Sequence, residues 1–129
     1  MSEGLTTVDV AADGVARLTM NRPEVHNAFD DVLIAELTER LRQLDHDARV
    51  RVVVLAANGK SFSAGADLNW MKRMARFSEA ENLRDALHLA GLMHTLARMR
   101  KPTVARVQGA AFGDQHVVER VVHLSLIHI

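Results

Sequence analysis

The chain has no cysteine among its 129 residues. Disulfide staples, thiolate nucleophiles and cysteine-type zinc sites are therefore excluded. It also lacks an excess of charge, because sixteen basic residues cancel sixteen acidic ones. Nucleic acid and anionic membrane surfaces, which are recognised through a net positive field, are not expected partners. No apolar run approaches the length needed to span a bilayer, and the N-terminus lacks the charged-then-apolar pattern of a secretion signal. The cytoplasm is the expected compartment. Seven histidines are scattered without His-Glu-x-x-His or similar ligand spacing, so no metal is expected. Internal repeats, low-complexity tracts and linkers are missing too. What is present, 48% hydrophobic and 25% charged residues, suits one soluble domain with one modest core.

Two strands are expected first, Thr6 to Ala11 and Gly14 to Met20, joined by the hairpin signal Ala12-Asp13-Gly14. In the first, Thr7 and Asp9 alternate with Val8 and Val10, as in a half-buried strand. Pro23 breaks the second, having no N–H to give to a ladder. Leu33, Leu37, Leu41 and Leu44 then recur at helical spacing, giving a helix over about Asp30 to Leu44, with Asn27 or Asp30 as its cap. The β-branched run from Arg51 to Ala57 reads as a buried strand ended by the turn Asn58-Gly59-Lys60. Strand, helix and buried strand in this order predict parallel pairing. A helix is expected from about Ser78 to Arg98, opened by the capping box Ser78-Glu79-Ala80-Glu81. Its predicted inner face is Leu83, Leu87, Ala90, His94 and Ala97, with His94 packed or hydrogen-bonded. Pro102 stops it, and Thr103 to Val107 reads as a further buried strand.

The stretch with chemistry in it is Ser61-Phe62-Ser63-Ala64-Gly65-Ala66-Asp67-Leu68, lying between a buried strand and a helix that opens at Leu68. Backbone N–H groups at a helix start have no helical acceptors, and the macrodipole there favours negative charge. Small residues at 64 to 66 let a ligand reach that backbone, which suits stabilisation of an oxyanion. The same residues also read as a plain tight connection with Asp67 as an N-cap.

Phe62 to Leu68 resembles the signature loop of the crotonase family, the enoyl-CoA hydratases and isomerases. Two other blocks match in order: Leu18 to Glu24 with Asn27-Ala28 upstream, and Lys101 to Gly113 downstream. The resemblance covers about residues 5 to 113. It implies an α/β fold, the N-terminal portion of a crotonase-like spiral of repeated strand–strand–helix units. It also implies an acyl-CoA thioester as partner, with no cofactor beyond the CoA moiety. The first backbone donor to the thioester oxygen falls on Ala66. Ala64, Gly65, Asp67 and Leu68 fall in the loop that holds CoA, and Arg22, Val25, His26 and Ala28 become candidate CoA contacts. Taken alone, Arg22 reads equally as a solvated charge and His26 as a loop histidine. The second donor is expected from a glycine run beginning at Gly113, but Asp114 and Gln115 follow. Val117 stands where hydratases of this family have a catalytic glutamate, and no motif surrounds Glu119.

Residues 1–113 are thus expected to be an incomplete crotonase-like core and 114–129 a tail outside the family pattern. Leu124-Ser125-Leu126-Ile127-His128-Ile129 matches the translation of a transposon end used in sequencing adapters, and we expect it to be an artefact. The run Asp67-Leu68-Asn69-Trp70-Met71, with Lys72 and Met74, resembles hydratases of branched, carboxylated enoyl-CoAs such as methylglutaconyl-CoA; Trp70 also reads as a core anchor. The family resemblance therefore implies the acyl-CoA-binding fragment of an enoyl-CoA hydratase. An enoyl-CoA isomerase or another enolate-forming member is the alternative. From a different class, a non-catalytic chain with at most weak CoA binding is the expectation for these 129 residues alone. Family members commonly form trimers or hexamers.

Overall fold

The structure, a computed structural model, describes residues 4–111. Strands β1 (Thr6–Val10) and β2 (Val15–Met20) form the antiparallel hairpin, with Thr6 opposite Met20 and Val10 opposite Ala16. In its turn the Asp13 carboxylate accepts a bond from the Val15 N–H at 3.1 Å. Helix α1 (Asp31–His46) crosses over to β3 (Val52–Ala57), which lies parallel to β2. Short helix α2 (Leu68–Met74) and long helix α3 (Glu79–Arg98) follow, and β4 (Thr103–Ala105) adds parallel to β3. The sheet order is β1-β2-β3-β4.

The helices start where their caps dictate. Asp30 is the N-cap of α1, its side chain accepting from the Leu33 N–H at 2.8 Å. Ser78 and Glu81 make the reciprocal capping box of α3. The C-terminal end of α1 is held across the fold. Asp45 accepts from the Arg100 and Lys101 N–H groups, and the Lys101 ammonium donates to the Leu44 and Asp47 carbonyls. A cation on these carbonyls favours the negative end of the helix.

One face of the sheet carries Ala16, Leu18 and Met20 of β2 beside Val53 and Leu55 of β3, all buried. Leu33, Ile34, Leu37, Leu41 and Leu44 of α1 close over them, with Leu92 and Leu96 of α3, Phe62, Trp70 and Met99. Each buried Val, Leu, Ile, Phe or Met among them contributes about 1.5–3 kcal/mol by leaving water. The four leucines at helical spacing in α1 are therefore core residues, as the sequence predicts.

The inner face expected for α3 is wrong. Leu83 and Leu87 are each 61% exposed, and Ala90, His94 and Ala97 also face solvent. The core takes Leu92, Leu96 and, just past the helix, Met99, with Leu89 and Met93 beside them. Two apolar stripes run along this helix at the same period, and contact with α1 chooses the second. Leu87→Gln is accordingly expected to change the free energy of unfolding in urea by no more than about 0.5 kcal/mol. A loss several times larger would restore the first stripe to the core. The first strand also departs from its expected alternation, because β1 is an edge strand and Val8 is 36% exposed. The final strand ends at Ala105 rather than Val107.

Candidate active site

The loop from Ser61 to Asp67 leaves the C-terminal end of β3 and enters α2. Its backbone is committed almost residue by residue. The Phe62 N–H donates to the Gln108 and Ala110 carbonyls, and the Ser63 N–H to Ala110. The Ala64 N–H donates to the His26 carbonyl at 2.8 Å, and the Gly65 N–H to the Ser63 hydroxyl at 3.1 Å. The Asp67 N–H donates to the Phe29 carbonyl at 2.7 Å. Among the described residues, no acceptor takes the Ala66 N–H. Ala66 is also exposed while Gly65 and Asp67 on either side are buried. Gly65 has φ of 83°, a left-handed turn that costs a side-chain-bearing residue about 1–2 kcal/mol. Two isolated parallel bridges, Phe29 with Ala66 and Ser63 with Ala111, hold the loop between its neighbours.

Beneath the loop lies Asn27, fully buried at 0% exposure. Its side-chain amide donates to the carbonyls of Asn58 at 2.8 Å and Ser61 at 3.0 Å, and its Oδ1 accepts from the Arg22 N–H at 2.8 Å. Its own carbonyl accepts from the Ser63 hydroxyl. Asn27 and His26 both adopt left-handed backbone, with φ of 54° and 53°. Neither Asn27 nor Ser63 stands out in the sequence as a site residue. The available signal is that asparagine tolerates this conformation and can donate and accept at once.

Arg22 is half-buried rather than a solvated charge. It donates to the Ala28 carbonyl at 2.6 Å and lies 3.3 Å from the carboxylates of both Asp30 and Asp67. Asp67 in turn caps α2, accepting from the Asn69 N–H at 2.8 Å and the Trp70 N–H at 3.1 Å. Burial by itself would push the Asp67 carboxyl up. The Trp70 and Asn69 N–H groups and the Arg22 guanidinium outweigh it and hold the group below its ordinary value of 3.8. A depressed carboxylate stabilises the fold above its unfolded pKa, and the contribution is lost as pH falls through the folded value. Asp67→Ala is therefore expected to cost about 0.5–2 kcal/mol at neutral pH, in the range of a lost N-cap. The gap between the two urea midpoints should narrow as pH falls toward and through 3.8, and a gap independent of pH would remove the charged contacts from the account.

The other expected site residues gather around the same loop. Val25 lies in a short 3-10 turn (Pro23–Val25), and Ala28 is buried directly after Asn27. His26 is exposed and its Nδ1 lies 3.3 Å from the Ser61 hydroxyl. Ala64 is half-buried, and Leu68 is 72% exposed at the start of α2. Trp70 is buried in the core as an anchor. Gly113 and the tail from 114 lie outside the described residues. The approach to them is visible at Gly109, with φ of 59°, where a Cβ would come within 2.0 Å of the Lys60 carbonyl oxygen. Among the described residues, no cluster of three or more acids and histidines could hold a metal, and no helix is long and apolar enough to cross a membrane.

The sequence pattern of enoyl-CoA hydratases and isomerases matches residues 11–122. The chain belongs to the enoyl-CoA hydratase/isomerase family. A solved enoyl-CoA hydratase/isomerase (crotonase) family structure from Legionella pneumophila is 52% identical, with a TM-score of 0.82 over 86% of this chain and 42% of the other. A human protein, enoyl-CoA hydratase domain-containing protein 2, mitochondrial, is 41% identical over 78% of this chain and 34% of its own length. A 4-chlorobenzoyl coenzyme A dehalogenase from Arthrobacter is 40% identical over 78% and 37%. The α/β architecture is thus the crotonase fold, and the chain spans well under half the length of these relatives. By name, these relatives range from a hydratase/isomerase to a 4-chlorobenzoyl coenzyme A dehalogenase, and family membership alone does not select among the reactions.

Proposed function

We propose that this chain carries the thioester-binding part of an enoyl-CoA hydratase, with the Ala66 N–H as the first donor to the thioester oxygen. The observation that supports it is the unclaimed Ala66 N–H between neighbours whose N–H groups are all engaged. A carbonyl oxygen placed there gains a fixed donor as charge develops on it. In hydration, water oxygen bonds to the β-carbon, the α,β π-electrons move toward the thioester, and the resulting enolate is protonated at the α-carbon. An acid–base pair is needed for both proton movements. Asp67, the acid next to Ala66 in sequence, is spent on capping α2 and pairing with Arg22, so it is not that base.

Ala64, Gly65, Asp67 and Leu68 form the loop against which the CoA portion lies, with Val25, His26 and Ala28 across from it. Arg22 supports this wall through Asp30 and Asp67 and has little freedom to leave it for a phosphate. The proposed acyl group is branched or carboxylated. An enolate-forming isomerase would use the same donor, and the family pattern, which takes in hydratases and isomerases alike, keeps that alternative open. A cytoplasmic site of action and assembly into trimers or hexamers belong to the same proposal. A chain that binds CoA without turnover is the competing class.

A thioester whose acyl group is conjugated to an aromatic ring tests the central claim. Polarisation of its carbonyl by a fixed donor moves its absorption to longer wavelength on binding, whether or not turnover follows. A red shift with cinnamoyl-CoA is expected. Binding without a shift would leave a CoA-binding chain and remove the oxyanion donor.

A further inference from the structure

The face of the sheet turned away from α1 and α3 carries a second feature. Thr7 of β1 pairs with Thr19 of β2, and Thr19 pairs with Ala56 of β3. Ala105 of β4 pairs with Leu55, so Arg106 follows beside Ala56, its N–H donating to the Leu55 carbonyl at 2.8 Å. The row therefore reads Thr7, Thr19, Ala56, Arg106, with Arg17 one step back along β2. The short Ala56 side chain leaves a dip between taller neighbours. Strands two places apart lie about 10 Å from each other, which sets the width of that dip. The result is a concavity of about 350 Å³ lined by Thr7, Arg17, Thr19, Asn58, Arg106 and Gln108 around the two alanines Ala56 and Ala57. No acid lines it, and neither arginine enters an ion pair among the described residues. Asp9 is the cross-strand partner of Arg17, but it lies outside the lining and is not paired with it. The Gln108 amide is fixed at one wall, donating to the Ala57 carbonyl at 2.7 Å and the Gly59 carbonyl at 3.1 Å.

We propose that this concavity binds a phosphate group, with Arg17 and Arg106 clamping it from two strands and the Thr7 and Thr19 hydroxyls donating to its remaining oxygens. Guanidinium forks match the oxygens of a phosphate, and hydroxyls supply neutral donors where a third cation would repel the first two. The proposal does not rest on the Ala66 donor, although Gln108 meets both regions: its carbonyl accepts from the Phe62 N–H of the loop.

The test is a titration of the full chain with inorganic phosphate, followed by amide and arginine side-chain NMR shifts and set against chloride at matched ionic strength. Saturable shifts confined to these residues are expected with phosphate and not with chloride. Arg17→Gln and Arg106→Gln should each weaken binding by at least about tenfold, the factor for one lost charge-assisted bond. Arg84→Gln, on exposed α3, should leave it unchanged. Ala56→Val fills the floor without altering charge and should weaken binding likewise. Adenosine monophosphate distinguishes the source of the group. Affinity equal to that of inorganic phosphate assigns the site to the free ion, and affinity about tenfold higher, still needing both arginines, assigns it to a nucleotide phosphate. Shifts that do not saturate, match those of chloride, or survive both arginine substitutions overturn the proposal, because screening alone would then explain them.

Discussion

Ala66→Pro is expected to abolish the red shift of a bound conjugated acyl-CoA, while Ala66→Ser retains it. Proline removes the N–H and nothing else polar; serine keeps the N–H on a side chain of similar size. A single fixed donor to a developing oxyanion is worth ~2.7–4 kcal/mol, so any enolate chemistry read as turnover should fall by about 10²–10³-fold. Proline also restrains the residue before it, and Gly65 already sits at φ of 83°. Affinity for a thioether analogue of CoA, which has no carbonyl to polarise, separates the two effects. If Ala66→Pro binds the thioether as well as the parent does and yet keeps the red shift with the thioester, the donor lies elsewhere.

The second large effect belongs to a residue that touches no ligand. Asn27→Ala strips partners from the Asn58 and Ser61 carbonyls and from the Arg22 N–H at one stroke. Each buried polar group left without a partner costs about 1–3 kcal/mol, and these three are only partly reachable by water. A loss of about 3 kcal/mol in the urea unfolding free energy is expected, with Tm lower by about 10–20 °C. The left-handed backbone supplies an internal control, because glycine is relaxed at φ of 54° and alanine is not. Asn27→Gly should therefore be about 1 kcal/mol less damaging than Asn27→Ala. Equal stability of all three proteins would show that the amide bonds carry little weight.

Much of this arrangement is legible in the order of residues alone. Leu33, Leu37, Leu41 and Leu44 announce α1 because one face of that helix is apolar and the other charged. Asp67 reads both as an N-cap and as part of the ligand loop, and the fold gives it the first role in full. The family blocks point to Ala66, but only the bonds made by Gly65 and Asp67 on either side set its N–H apart, without an acceptor among the described residues. Asn27 is out of reach of pattern reading for a physical reason: its partners at Asn58 and Ser61 are more than thirty positions away in the chain, and periodicity relates only near neighbours. Arg22 reads as readily as a solvated charge for the same reason, since Asp67 is forty-five positions away. On α3, local periodicity offers two equally good faces, and only packing against α1 can choose.

The bonds from Phe62 and Ser63 to Gln108 and Ala110 also fix an order of events during synthesis. The loop leaves the ribosome well before the segment that pins it, and at about 5–20 residues per second the interval is on the order of seconds. During that time Ser61 to Asp67 can be held only from the upstream side, by His26, Asn27 and Phe29. The backbone that presents Ala66 therefore reaches its final form only after Gly109 has turned beneath Lys60. A ribosome stalled before that turn would carry a chain whose Phe62 and Ser63 N–H groups had no downstream carbonyl to hold them.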